Sequence, residues 1–134
     1  MRKLAVFALM ATLSLTLIGC STNPKPTTLP PGAYSTADAQ FYDALVTARG
    51  AIDAVCDVGT SVSTGNCIIK YELAAYKPQI NQAIASWNIA ASAEMTYRNA
   101  LKNGGTPDSA AVMAAVNQVT TNTAALVTSI SGGH

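Results

Sequence analysis

The sequence predicts an all-α fold, a small up-down-up three-helix bundle over residues 35–131, preceded by a cleaved N-terminal segment. Three observations predict it. Apolar residues recur at steps of three and four along three separate stretches, which is the period of a single helix face. Capping and turn residues separate those stretches. The chain is rich in alanine, the best helix former, and only 6% aromatic, so its core is thin.

The chain opens with Arg2 and Lys3 and continues as an uncharged, mostly apolar run from Leu4 to Ile18. A basic start, an apolar run and small residues at its end describe an export signal. Fifteen helical residues reach about 22 Å, short of the roughly 30 Å hydrocarbon core, so a permanent transmembrane helix is the weaker reading. The alternative is an ordinary secreted protein cut elsewhere in this region. No A-x-A-like site fits better than the end of the run.

That end reads Leu17-Ile18-Gly19-Cys20, which resembles the lipobox of bacterial lipoproteins. The resemblance implies that residues 1–19 are removed and that Cys20 becomes the first residue, carrying a diacylglyceryl thioether and usually an N-acyl chain. Two or more chains anchor stably where one binds only marginally. The membrane is thus one expected partner, reached through Cys20, and the location implied is the bacterial envelope, facing the periplasm. In the enteric-type sorting rule an Asp after the Cys retains the protein in the inner membrane. Ser21 therefore resembles the outer-membrane default.

Residues 20–34 read as a tether. Pro24, Pro26, Pro30 and Pro31 favour extended polyproline structure, and the thirteen residues from Ser21 to Ala33 would span roughly 40 Å. Pro24-Lys25-Pro26-Thr27 is not a P-x-x-P motif, so a spacer is the better reading.

Helix 1 is expected to begin near Ser35, where Ser35-Thr36-Ala37-Asp38 has capping-box spacing. Its stripe is Phe41, Leu45, Ala48, Ile52 and Val55, and it ends near Cys56. Gly50 costs about 1 kcal/mol relative to Ala and is expected to mark a close helix contact. Helix 2 is expected from Asn66 or Cys67, with Ile69, Leu73, Tyr76, Ile80, Ile84, Trp87, Ala91 and Met95 as its stripe. Pro78 is expected to kink or split it, because an interior proline removes a backbone bond and clashes one turn back. Lys102-Asn103-Gly104-Gly105 supplies the stop. Helix 3 is expected from Thr106-Pro107-Asp108, with Val112, Val116, Val119, Thr123, Leu126 and Ile130 as its stripe. Residues 132–134 read as a flexible tail.

Cleavage removes two of eight basic residues and leaves seven acidic ones, a net charge of −1. That balance leaves no electrostatic footprint for nucleic acid. Cys56 and Cys67 are the cysteines left once Cys20 is acylated. An oxidising compartment and the turn-rich residues between them favour a disulfide over two free buried thiols. Two Cys with no nearby His do not complete a zinc set, so no metal is expected, and no cofactor either.

No catalytic set is legible, so a non-enzymatic role is expected. The single His, His134, is terminal; Glu72 and Glu94 stand about 33 Å apart on a straight helix. Glu94 and Arg98 read as a surface ion pair near the apolar stripe, with a buried polar layer as the sharper alternative. Ile68, Tyr71, Ala75, Ile89, Ala93 and Ala100 form a second apolar face of helix 2, either packed between neighbours or offered to an envelope-protein partner. The alanine-rich helices, short linker and hairpin disulfide also resemble small lipoproteins carried by bacteriophages and prophages. That resemblance implies superinfection exclusion or another envelope-associated role, and in a second version a spanin-like lysis component. Known spanin subunits are shorter and richer in proline. A small apolar-ligand carrier, with a pocket around Tyr76, Trp87 and Met95, is the alternative.

Overall fold

The computed structural model describes residues 32–133. The expected signal peptide, Cys20, the tether up to residue 31 and His134 lie outside the described residues. Three helices make the fold: α1 (Thr36–Asp53), α2 (Lys77–Lys102) and α3 (Ala110–Gly132). Two 3₁₀ segments, Val62–Thr64 and Tyr71–Tyr76, lie in the connection between α1 and α2.

Helix α1 starts as its sequence dictates. The Ser35 hydroxyl accepts the Asp38 amide at 3.0 Å. Asp38 reaches back one residue further than a standard capping box, accepting the Tyr34 amide at 2.9 Å. All five predicted stripe residues are buried, with Val55 just beyond the helix end. Gly50 is exposed, and nothing lies within 4 Å of where a Cβ would stand, so it marks no close helix contact.

Helix α2 begins ten residues later than expected. Cys67 to Lys70 do not enter a helix; they run back antiparallel to the end of α1. Cys56 and Ile69 form a β-bridge, the Asp57 amide donates to the Ile68 carbonyl at 2.7 Å, and the Lys70 amide donates to Val55 at 3.1 Å. Tyr71–Tyr76 then turns as a 3₁₀ helix, and Pro78 falls in the first turn of α2. There a missing N–H costs nothing and φ is already helical. Proline divides the stretch at its start and leaves α2 itself uninterrupted.

The buried face of α2 is also shifted. Ile80, Ala83, Ser86, Ala90, Glu94 and Tyr97 are its buried residues, whereas the predicted Met95 is 62% exposed. Ile84, Trp87 and Ala91 sit on the margin. The large residues drew the predicted stripe, but α2 touches both neighbours, and the small Ala83, Ser86 and Ala90 fill the middle of its buried face.

The end of α2 is a Schellman motif. Gly104 adopts φ 77°, its amide donates to Leu101, and the Gly105 amide donates to Ala100 at 2.9 Å. Helix α3 begins later than Thr106, at Ala110, whose amide is capped by Asp108 Oδ1 at 2.9 Å. Its six predicted stripe residues are all buried. Gly132 ends α3, and Gly133 approaches the Tyr76 hydroxyl so closely that a Cβ there would collide with it.

Two core clusters fix the helix directions. Phe41, Leu45 and Ala48 from the first half of α1 pack with Ala90 and Tyr97 from the second half of α2 and Val112, Val116 and Val119 from the first half of α3. Ile52 and Val55 at the end of α1 pack with Ile80 and Ala83 at the start of α2 and Leu126, Val127 and Ile130 at the end of α3. Successive helices therefore run antiparallel. Trp87 packs against both clusters.

Candidate functional site

Three regions of the bundle hold more than core packing. The first is the disulfide end. Cys56 and Cys67 are bonded, closing the connection between α1 and α2. The loop inside the bond is organised by Asp53. Its carboxylate accepts the Ser61 hydroxyl at 3.0 Å and the Val62 amide at 2.8 Å. Val62 is thereby tucked into the core at 2% exposure. Lys70 Nζ donates to the Ala54 carbonyl at 2.6 Å, satisfying an α1 end that carries no basic residue in its last turn. An Asp in the last turn of a helix opposes the helix dipole, and that was the available sign that Asp53 has a partner outside α1.

The second region is a buried charged cluster between the start of α1 and the end of α2. Asp38 is 1% exposed and Glu94 is 8% exposed. Arg98 Nε stands 3.2 Å from Asp38 Oδ1 and 3.5 Å from Glu94 Oε1. Neither oxygen has a partner in hydrogen-bonding geometry. The rest of the guanidinium turns outward: Nη2 donates to the Gly32 carbonyl at 2.6 Å, and the group lies 5.5 Å from the Tyr34 ring centre and 5.9 Å from that of Tyr42. The Glu94–Arg98 pair therefore sets a buried carboxylate against a half-buried guanidinium, and the surface ion pair expected from the sequence is corrected. Burial pushes the Glu94 carboxyl above its ordinary 4.5; Arg98 opposes this, and the charge and hydrogen bonding of Asp38 reinforce it. Asp38 was read from sequence only as a cap. Its phase gave more: positions 38, 41, 45, 48 and 52 step three and four, which puts Asp38 on the core stripe.

The third region is an open groove of about 630 Å³ between α2 and α3. Ile89, Ala93 and Ala100 line it with Tyr97, Pro107 and Val112. These three belong to the second apolar face expected of helix 2. The other three do not join them. Ile68 and Tyr71, 54% and 92% exposed, border a smaller depression beside the disulfide, and Ala75 is exposed in the 3₁₀ segment. The six residues thus make two surfaces. Ile68 stands in the extended stretch before the 3₁₀ segment, and 3.0 residues per turn in that segment against 3.6 in α2 rotates Tyr71 and Ala75 out of phase with the second half.

Tyr76, Trp87 and Met95 line neither of these two surfaces. Tyr76 and Trp87 pack onto the core, and Met95 faces outward. Trp87 Nε1 is used structurally, donating to the Leu45 carbonyl at 3.0 Å. Among the described residues, no group of three or more His, Cys, Asp or Glu is placed to hold a metal, and no helix is long and apolar enough to cross a membrane.

Comparison with protein-family models, with curated proteins and with solved structures finds no match to this chain. The described residues form an all-helical, disulfide-closed domain with a groove and a charged cluster.

Proposed function

We propose that this protein is a lipid-anchored envelope lipoprotein whose helical domain is a non-catalytic binding module facing the periplasm. The observation that carries the reading is Leu17-Ile18-Gly19-Cys20 at the end of a short apolar run. The Cys56–Cys67 bond suits an oxidising compartment, where such bridges persist. Pro24, Pro26, Pro30 and Pro31 suit a spacer between lipid and domain. Ser21 favours the outer membrane. A phage-encoded role, in superinfection exclusion or at the envelope, rests on the alanine-rich style of the chain, and a spanin-like lysis role is its second version.

Radiolabelled palmitate should enter the wild-type protein and not Cys20→Ala. Equal labelling of the two removes the anchor and the location with it.

Between the two surfaces, the groove at Ile89, Ala93 and Ala100 is the better partner surface, since it is larger and mainly apolar. A photo-crosslinker at Ile89 should capture an envelope protein in cells where one at Tyr71 does not. The reverse result transfers the surface to the disulfide end. A ligand carrier is favoured only by the groove's apolar lining, and a bound small molecule recovered with the purified protein would select it.

A further inference from the structure

Asp38 and Glu94 bring two buried carboxyl groups to a single cation. Each has an oxygen in ion-pair range of the same Arg98 Nε, and neither oxygen is hydrogen-bonded by it. One N–H cannot satisfy two acceptors held off its axis. Among the described residues, no other charge helps. From α1 and its approach, the facing groups are Asp38 itself and the Tyr34 and Tyr42 rings. From α2 they are Glu94 and Arg98, with Lys102 exposed a turn further on. Helix α3, from Ala110 to Gly132, has no ionisable side chain at all.

The same cluster holds the segment that leads into α1. Arg98 donates to the Gly32 carbonyl, and its guanidinium lies against the Tyr34 ring. Asp38 accepts the Tyr34 amide. Three contacts on Gly32–Tyr34 thus run through two members of the cluster.

We propose that a proton held on Glu94, where it faces Asp38 and Arg98, decides whether the Gly32–Tyr34 segment stays latched to α2. With the proton present, Glu94 donates to Asp38, one carboxylate faces one guanidinium, and the cluster is neutral. Arg98 is then free to hold Gly32. With the proton gone, two carboxylates face one cation in a buried site, and their repulsion is weakly screened. The segment with the fewest packing contacts yields, and that is the approach to α1, since Gly32 and Tyr34 are exposed. The device stands at the point where the described domain meets the preceding chain. It does not depend on the lipid.

Hydrogen exchange of the full chain, read by mass spectrometry as protection factors, tests this. The Tyr34 amide should be protected near pH 4 and lose at least about tenfold protection near pH 8, while α3 amides keep theirs; intrinsic exchange is divided out. Glu94→Gln should keep Tyr34 protected at both values, because the amide donates to Asp38 without titrating. Constant Tyr34 protection in the wild type, or an equal loss in Glu94→Gln, overturns the latch. Should the variant not fold, the wild type still decides. Tyr34 protection must fall along the curve on which the Glu94 carboxyl titrates by carbon NMR, and separate midpoints overturn the proposal.

Discussion

Trp87 on α2 donates its indole N–H to the backbone carbonyl of Leu45 on α1, at 3.0 Å and across 42 residues of chain. The bond ties two helices at mid-length. The ring beside it covers the boundary between the two core clusters. An indole combines a large apolar area with one donor that needs a partner when buried, and both are used here.

Trp87→Phe keeps most of the ring area and removes the donor. It should cost about 1 kcal/mol for the hydrogen bond plus a small packing loss. Trp87→Ala should cost about 3–5 kcal/mol, because it opens a cavity between both clusters. Urea midpoints at constant slope measure the two. A Trp87→Phe variant as stable as wild type would mean that the hydrogen bond contributes nothing beyond burial.

The Cys56–Cys67 bond closes a short loop in a small domain. Reduction, or the double change Cys56→Ser with Cys67→Ser, should lower stability by about 3 kcal/mol, since a short loop loses closure entropy of that order when unfolded. The amides of Asp57 and Lys70, which pair the two sides of the loop, should lose exchange protection first. A thermal midpoint unchanged by reductant contradicts this.

Gly50 is exposed in the last turn of α1, in helical backbone, with open space where a side chain would stand. Gly50→Ala should therefore stabilise the fold by about 0.5–1 kcal/mol, mainly by restricting the unfolded chain. Destabilisation in a melting experiment would reveal a contact at this position.

Glu94 sets a pH dependence whose sign follows from its raised pKa. The folded state holds the Glu94 proton more tightly than the unfolded state does. The contribution is fully present below the ordinary 4.5, and it is lost as pH rises from there through the folded-state value. Glu94→Gln should remove that part of the profile and leave the variant more stable than wild type on the alkaline side. Denaturation across pH checks it, and a wild-type profile in which this residue's share rises with pH reverses the sign.

Local signals carried much of the fold. Ser35 as a cap, the stripe from Phe41 to Val55, the Gly104-Gly105 stop and the stripe from Val112 to Ile130 were all legible, because each depends on neighbours within a turn or two of the chain. The disulfide pairing was legible too, since only two cysteines lie in the domain. The α2 register was not. Apolar residues continue from Ile68 to Tyr76, so the pattern ran on as helix, although the backbone there pairs across the disulfide and then turns as 3₁₀.

The sequence by itself determined that this is an all-helical domain, with three apolar stripes and the turns that separate them. Tertiary structure alone decided that Asp38, Glu94 and Arg98 meet, that the second apolar face of helix 2 divides in two, and that its C-terminal half lines a groove against α3. Period and capping are set by residues three or four apart. Burial of a charge, or the shape between two helices, is set by chain segments tens of residues away, whose approach no local pattern encodes.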